Sequence, residues 1–187
     1  MITVPTELDA RFRAAAAAAG LLDAAYDLTD SPVGPLLVGA TDRGLCKISF
    51  RADPEQAREE LARTFGPRVL RSSKPLKRVR LELDEYFEGR RHAFDLELDL
   101  RAIPDFNVRV LRELARVPYG QTTTYGTLAA RAGVPTAARA VGTVMNRNRI
   151  PIVLPCHRVI GANGKLVGYA GGLDVKERLL RLEGALL

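Results

Sequence analysis

The sequence contains few of the residues that build disulfide frameworks and metal sites. Its 187 residues include two cysteines, two histidines and no tryptophan. Two cysteines are too few for a disulfide framework, which favours a reducing, cytoplasmic environment. Cys46 and His92 lie far in sequence from Cys156 and His157, and no two of these residues have the spacing of a zinc-ligand pair. We therefore expect no bound metal ion.

Long apolar runs are also absent. No run reaches the roughly 18 residues that suggest a transmembrane helix, and residues 1–12 do not show the basic-then-apolar order of a secretory signal. Hydrophobic residues make up 47% and charged residues 27%, which is ordinary for a soluble globular protein. We expect a soluble cytoplasmic protein, with no membrane partner, that forms one large domain or two small ones.

Acidic residues are scarce in the second half of the chain. Residues 101–187 contain 13 Lys and Arg against 5 Asp and Glu, whereas residues 1–100 contain 15 against 17. The net charge of +6 therefore comes entirely from the second half. An asymmetry of this kind predicts a polyanionic partner such as nucleic acid. The alternative is a solvated arginine-rich surface without a partner.

The hydrophobic pattern separates a mixed α/β first half from a largely helical second half, with the change near Arg101. An alanine-rich helix opens the chain, short strands follow across residues 26–50, and Asp53 caps the next helix. Apolar residues with helical spacing cover residues 76–87, and strict alternation over residues 94–100 predicts a half-buried strand. We take residues 1–23 as a peripheral helical extension, 24–101 as an N-terminal α/β domain and 102–187 as a C-terminal domain.

Two short helices in the second half form a helix-turn-helix candidate. Thr124 caps the first, which ends near Ala132 and Gly133, and Pro135–Thr136 begin the second. Their basic surroundings favour DNA binding, although any pair of packed helices gives a similar pattern. A last helix runs from Asp174 to about residue 183.

The segment "IPIVLPCHRVIG", residues 150–161, is a hydrophobic run that contains residues able to carry a reaction. Pro155 suits the end of a strand, and Cys156 follows it. Cysteine attacks as a thiolate, so we expect the Cys156 sulfur to be kept ionised by a base or a positive field. In an extended strand Cys156 and His157 point to opposite faces, and they can cooperate only through a backbone turn or a bridging water. An acid should orient His157, and four remain open: Glu113, Asp174, Glu177 and Glu183.

The alternative for this segment is a buried, inert cysteine beside a surface histidine, because free cysteine is among the most buried residue types. Cys46, between apolar neighbours in the first half, is interpreted in that way as a small core residue.

Four segments along the chain carry recognisable motifs. The strongest is "PCHRVIGANGKLVGYAGGLDVKERLLRLEG"; it is preceded by "VPYGQTTTYGTLAARAG", "AARAVGTVMNRN" and, more weakly, "SPVGPLLVGATDRGLCKISF". In these motifs the chain resembles the O6-alkylguanine-DNA alkyltransferases, also called methylated-DNA–protein-cysteine methyltransferases. The resemblance extends roughly from Tyr26 to the C-terminus and leaves out the alanine-rich extension. It implies a small ribonuclease-H-like N-terminal α/β domain, followed by a helical, winged-helix-like C-terminal domain that contains the helix-turn-helix.

The resemblance implies DNA repair by direct reversal of damage, without a cofactor. Cys156 would take the alkyl group from O6-alkylguanine, and from O4-alkylthymine, irreversibly, so that each molecule acts once. His157 would deprotonate Cys156 through a water, Glu183 would orient His157, and Asn148 would brace the turn that carries the cysteine. The implied partner is double-stranded DNA, bound by a monomer able to assemble cooperatively along it, in the cytoplasm or, in a bacterium, on the nucleoid.

The same resemblance implies how DNA is bound. The helix-turn-helix enters the minor groove, the damaged base turns out of the stack, and Arg139 fills the space that the base leaves. Small or polar neighbours let this helix approach the DNA backbone closely: Thr136, Ala137, Ala138, Ala140 and Gly142.

The flipped base would lie in a pocket with mostly backbone partners. Tyr125 would push on the 3′ phosphate and donate a hydrogen bond to the base. Carbonyls of Cys156 and Val159 would accept from the guanine amine, and the N–H group of Ala170 would hold O6, where charge develops. Two further residues would line the pocket, Pro151 and Tyr169.

The chain departs from the family pattern at three points. Arg149 follows Asn148 where the family often has proline, which predicts a less rigid loop before the cysteine. Leu111 stands where the family commonly has an aromatic residue, and the zinc ligands of some members have no counterpart.

Three other functions remain as alternatives. A lesion-binding relative without activity would not need Cys156. A cysteine hydrolase would turn over repeatedly, and a transcriptional regulator built on the helix-turn-helix would need no nucleophile.

Overall fold

A computed structural model describes residues 6–186 of the chain. It contains seven α-helices in these residues: α1 (Thr6–Ala18), α2 (Pro54–Phe65), α3 (Lys77–Phe87), α4 (Asp105–Ala115), α5 (Tyr125–Arg131), α6 (Ala138–Asn146) and α7 (Leu173–Leu182). It also contains six strands: β1 (Ala24–Thr29), β2 (Leu36–Thr41), β3 (Gly44–Phe50), β4 (Val69–Arg71), β5 (Thr123–Thr124) and β6 (Val159–Ile160). Short 3-10 helices cover Lys74–Leu76 and Cys156–Arg158. No helix within residues 6–186 has the length and apolar character needed to cross a bilayer.

The N-terminal sheet has the strand order β3-β2-β1-β4, in which only the β1–β4 pair is parallel. Strands β1 to β3 confirm the predicted series of short strands, whereas the three-residue strand β4 was not predicted because it is too short to show a pattern. Helix α2 begins as expected, since the Asp53 carboxylate accepts from the N–H groups of Glu55 and Gln56.

The two faces of this sheet belong to two different cores. Leu37 on β2 and Cys46 on β3 pack with Leu61 of α2, which confirms that Cys46 is a small core residue. Leu36 and Val38 point to the other face and pack with helix α3 and with residues of α4 to α7. Since neighbouring residues of a strand face opposite ways, one strand joins both cores. The larger core is therefore shared by the two halves of the chain.

Residues 94–100 are extended but do not form the strand that their alternation predicts. Leu45 alone pairs with this segment: it donates to the Glu97 carbonyl and accepts from the Asp99 N–H group. Phe94, Leu96, Leu98 and Leu100 still pack on the core, as alternation requires. Alternation reports which side chains are buried, and strand pairing needs a partner over several residues. The prediction of a strand is therefore wrong, and that of half-burial is confirmed.

The C-terminal helices follow the predicted order. The Thr124 hydroxyl accepts from the Thr127 N–H group at 3.1 Å and caps α5, as predicted. Helix α6 begins at Ala138, after the start predicted at Pro135–Thr136, because Thr136 and Ala137 belong to the connecting turn. Helices α5 and α6 pack against each other and against α4, with Leu128 and Val141 buried.

Candidate active site

The turn that carries Cys156 replaces the strand that the apolar run suggested. Residues 150–155 wind through successive turns, with hydrogen bonds from the Leu154 N–H to the Ile150 carbonyl and from the Cys156 N–H to the Leu154 carbonyl. Ile152 has a φ of 75°, a conformation rare for a β-branched residue. A strand ending at Pro155 is therefore wrong. Cys156 and His157 lie on one 3-10 turn, so the backbone does turn at the pair.

Asn148 joins the two ends of this turn. Its side-chain N–H group donates to the Leu154 carbonyl at 2.8 Å and lies 3.2 Å from the Cys156 sulfur. Its side-chain oxygen accepts from the Ile150 N–H group at 3.0 Å. These are the contacts that a bracing residue needs, and they reach the sulfur itself.

His157 is fully buried and bonds one of the four acids that the sequence left open. Its Nε2 lies 2.8 Å from Oε1 of Glu183, at the C-terminal end of α7. A carboxylate only accepts, so Nε2 carries the proton and Nδ1 has a free lone pair. Nδ1 is buried and has no hydrogen-bond partner among residues 6–186. It is the nitrogen that can receive a proton.

Two further side chains bind Glu183, and both were missed in the sequence. Arg158 donates to both carboxylate oxygens, at 2.8 and 2.9 Å, and to the Val117 carbonyl at 2.6 Å. Tyr86 of α3 donates to Oε1 at 2.7 Å. Arg158 could have been noticed as a charge inside an apolar segment. Tyr86 gave no such signal, because its apolar helical spacing indicated only a core residue.

The protonation states of the pair follow from burial and charge. Burial would raise the pKa of Glu183, but hydrogen bonds from His157 and Arg158 together lower it to about 2. Burial lowers the pKa of His157 below its usual value, although the Glu183 carboxylate opposes this. At neutral pH the site therefore holds a charged carboxylate and a neutral imidazole.

Burial favours the protonated form of the Cys156 sulfur. Burial raises its pKa to about 11, while the Asn148 hydrogen bond and the charge of Lys176 act in the opposite direction. The expectation of a sulfur kept ionised is therefore wrong for the resting site, because desolvation outweighs the positive field. The proton has to leave during the reaction.

Lys176 of α7 was also missed in the sequence. It is completely buried, and its ammonium group donates to the carbonyls of Val159 at 2.6 Å and Val167 at 2.7 Å. Burial lowers its pKa to about 8. The lysine thus ties β6 to the loop before α7. Nothing in the sequence of α7 marks this lysine as buried, and only the tertiary structure shows that it is.

The structure places the predicted pocket residues around the cysteine turn. Pro151 and Val159 are buried, and Ala170 is exposed. The Tyr169 ring stands edge-on to His157, with 6.4 Å between ring centroids, and packs on Phe50 of β3 at 5.5 Å. The Tyr169 hydroxyl is buried and has no partner among the described residues. Tyr125 is half-buried at the start of α5, and its pKa is raised by burial and by Cys156.

The predicted DNA-contacting residues lie at the start of α6. Arg139 and Thr136 are exposed, as is Ala140, whereas Ala137, Ala138 and Gly142 are half-buried. Gly142 faces the Tyr125 ring, since a Cβ atom placed there would lie 3.9 Å from it. The opposite side of α6 buries three residues: Val141, Val144 and Met145. The exposed face of α6 is thus free to contact a partner.

Comparison with known proteins gives two family matches along the chain. Residues 24–100 match the ribonuclease-like domain of 6-O-methylguanine DNA methyltransferase, and residues 105–185 match its DNA-binding domain. These matches confirm the predicted fold class.

Curated relatives match over most of the chain. A methylated-DNA–protein-cysteine methyltransferase from Methanosarcina barkeri is 42% identical over 158 residues, which cover 84% of this chain and 96% of the relative. One of the same name from Mycolicibacterium paratuberculosis is 44% identical over 158 residues, covering 84% and 91%.

Solved structures match to the same extent. The crystal structure of the Mycobacterium tuberculosis O6-methylguanine methyltransferase is 39% identical, with a TM-score of 0.75, and the match covers 87% of this chain and 93% of that one. A structure from the same organism in complex with DNA also has a TM-score of 0.75 and 39% identity, covering 86% and 93%.

Proposed function

The chain belongs to the 6-O-methylguanine DNA methyltransferase family, and we propose that it repairs DNA by moving an alkyl group from O6-alkylguanine to Cys156. The observation that carries this assignment is the buried series Asn148–Cys156–His157–Glu183, in which an amide contacts the sulfur and a carboxylate orients the imidazole. The only other cysteine, Cys46, lies in the hydrophobic core with its pKa raised to about 12 by burial. Cys156 is therefore the acceptor.

The reaction begins with the removal of the thiol proton. The proton passes from Cys156 through a bridging water to Nδ1 of His157, and Glu183 stabilises the imidazolium that forms. The sulfur then attacks the alkyl carbon: the S–C bond forms, the C–O6 bond breaks and its electron pair goes to the guanine. A proton is returned to the guanine, so that the products are guanine and a neutral thioether. No step regenerates the thiol, and each molecule acts once.

Fixed donors lower the barrier on the guanine side. The N–H group of Ala170 would hold O6 and the Tyr125 hydroxyl would donate to the base, while the carbonyls of Cys156 and Val159 would accept from the guanine amine. Tyr169 and Pro151 would form the walls. The Val159 carbonyl already accepts from Lys176, which fixes its direction before the base arrives.

The DNA partner is double-stranded, and we propose that it is bound through the exposed face of α6 in the minor groove. Turning a base out of the stack costs a few kcal/mol, which phosphate contacts of the basic second half can offset. Arg139 would occupy the vacated space, and the small residues Ala137, Ala138, Ala140 and Gly142, with Thr136, would allow a close approach. O4-alkylthymine would enter the same pocket.

The parts of the chain have different proposed roles. We propose that residues 102–187 bind DNA and accept the alkyl group, that residues 24–101 support them, and that residues 1–23 are a peripheral helical extension, of which residues 1–5 lie outside the described residues. The two family matches, 24–100 and 105–185, support these boundaries. The protein would act as a monomer, with cooperative assembly along DNA, in the cytoplasm or on a bacterial nucleoid.

Intact-protein mass spectrometry after incubation with duplex DNA containing O6-methylguanine tests the assignment. One methyl group per protein should appear on Cys156, in Cys46→Ala as in the wild type, and none in Cys156→Ala. Repeated turnover without an adduct would favour a hydrolase. Tight lesion binding without transfer would favour a non-enzymatic damage sensor.

A further inference from the structure

Tyr86 reaches the candidate active site from the other half of the chain. It lies on α3, 97 positions before Glu183, and its side chain is fully buried. Its ring packs against Phe87, Phe94 and Tyr119, with centroid distances of 5.3 to 6.1 Å. These contacts fix the hydroxyl at 2.7 Å from Oε1 of Glu183. The N-terminal domain thereby contacts the carboxylate that orients the histidine.

Oε1 is shared by three donors. It accepts from Nε2 of His157 at 2.8 Å, from Arg158 at 2.9 Å and from the Tyr86 hydroxyl. We propose that Tyr86 is a positioning residue for alkyl transfer: by donating to Glu183 it limits how strongly this carboxylate can stabilise a protonated His157. The inference rests on the proposed function, because the neutral imidazole is the base in that reaction.

The sign of the effect follows from the competition at one oxygen. Each hydrogen bond that a carboxylate accepts withdraws negative charge and makes it a weaker partner for the next donor. Without the Tyr86 hydroxyl, Glu183 would concentrate more charge on His157 and favour the imidazolium. Arg158 still holds both carboxylate oxygens, so Glu183 would stay in place. The change is therefore electrostatic and does not depend on a displaced side chain.

The other groups around the pair do not replace Tyr86. The titratable and charged groups that face His157 and Glu183 are Tyr86 on α3, Tyr119 before β5, Cys156 and Arg158 on the 3-10 turn, Tyr169 on the following loop and Lys176 on α7. Arg158 and Lys176 carry positive charge near His157 and disfavour its protonation through space. The Tyr119 hydroxyl donates instead to the Leu182 carbonyl at 3.0 Å. Among the described tyrosines, Tyr86 is the one whose hydroxyl meets the carboxylate.

This arrangement extends the range of pH over which His157 is a neutral base. It also gives the N-terminal domain a direct role in the reaction, beyond packing. The hydroxyl is supplied by α3, whose position is set by the shared core.

An NMR titration of His157 in the full-length protein tests the inference. The sequence has only two histidines, so a His92→Gln background leaves a single imidazole signal. In Tyr86→Phe the pH at which His157 is half-protonated should rise by about half a pH unit or more, a fraction of the strength of one hydrogen bond to a charged acceptor, because the effect reaches His157 through Glu183. The acid limb of the single-turnover alkylation rate should move upward by the same amount. Tyr119→Phe is the matched control, and its midpoints should not move.

An unchanged or lower midpoint in Tyr86→Phe would overturn the inference, as would an equal rise in Tyr119→Phe. If Tyr86→Phe does not fold, replacing every tyrosine by 3-fluorotyrosine provides the second test. A more acidic phenol donates more strongly, so the His157 midpoint should fall. A midpoint that stays or rises on fluorination would also overturn it. The titration needs no DNA, so it can be interpreted separately from the transfer reaction. Failure of the wild type to accept a methyl group would refute the proposed function. If the wild type accepts the methyl group but the His157 midpoint does not move in Tyr86→Phe, the role of Tyr86 alone is refuted.

Discussion

Replacing Glu183 by glutamine should remove a large pH-dependent part of the stability. The Glu183 side chain is completely buried, and its pKa is lowered from 4.5 to about 2, because the hydrogen bonds from His157 and Arg158 outweigh the opposing effect of burial. A group whose pKa is lower in the folded state stabilises the fold above its unfolded pKa. That stabilisation is fully present above pH 4.5 and is lost as the pH falls toward 2.

The magnitude follows from the size of this shift. One pKa unit corresponds to about 1.4 kcal/mol, so a fall from 4.5 to about 2 contributes about 3 kcal/mol to the free energy of unfolding. Glutamine cannot titrate, and its amide N–H group would face the Arg158 guanidinium. At pH 7 Glu183→Gln should therefore be less stable than the wild type by about 3 kcal/mol or more, and this difference should shrink by about 3 kcal/mol as the pH falls from 4.5 to 2.

Urea unfolding at a series of pH values between 7 and 2.5 measures this difference, provided that the m-values of the two proteins agree. Glu177→Gln on the same helix is the matched control, because this side chain is about half exposed and its ion pair within residues 6–186 is with Arg181 in the following turn. Its difference from the wild type should stay nearly constant. A constant difference for Glu183→Gln from pH 7 to 2.5 would refute the account of the buried carboxylate.

Three other substitutions test further parts of the site. Asn148→Ala removes the donor to the Cys156 sulfur and should slow methyl transfer by on the order of tenfold or more, because the thiol pKa rises further. Single-turnover kinetics at pH 8 would measure the rate of transfer. An unchanged rate would contradict the role of Asn148 as a donor to the sulfur. Lys176→Met leaves two buried carbonyls without their donor and should lower the free energy of unfolding by about 1–3 kcal/mol, read by urea denaturation. Arg139→Ala should slow repair of duplex DNA far more than reaction with a free alkylated base, and equal losses on both substrates would remove Arg139 from the flipping mechanism.

Local chemistry made part of the fold predictable from the sequence. Asp53 and Thr124 cap helices with their own side chains, and the required contacts span two or three residues. The alternation in residues 94–100 correctly predicted which side chains are buried, but it could not show that only Leu45 pairs with the segment. Pairing depends on a partner strand, which the segment itself does not encode. Periodicity therefore predicted burial better than it predicted hydrogen bonding.

The site was less predictable because its contacts connect distant parts of the chain. Reasoning from the residues alone left four acids open as the partner of His157, and only the family resemblance implied Glu183, which the fold brings to it from 26 residues away. The segment that carries Cys156 suggested a strand, because an apolar run has the same composition in a strand and in a buried turn. The contact that holds it as a turn comes from the Asn148 amide, which donates to the Leu154 carbonyl. The buried charge of Lys176 cannot be distinguished from a solvated one by sequence spacing. The resemblance to a family pointed to the reacting residues, and the structure supplied the groups that tune them.

A thiol that is protonated at rest suits a protein that can react only once. Burial raises the pKa of Cys156 to about 11, so the thiol form is favoured over the thiolate at pH 7. Oxidants and free alkylating agents react with thiolates, so the same burial that raises the pKa also protects the sulfur from reactions that would consume the protein without repair. The base is nevertheless in place, because His157 stays neutral beside a charged Glu183. In the proposed reaction, transfer depends on an alkyl carbon being brought to the sulfur, so selectivity would come from geometry more than from intrinsic nucleophilicity.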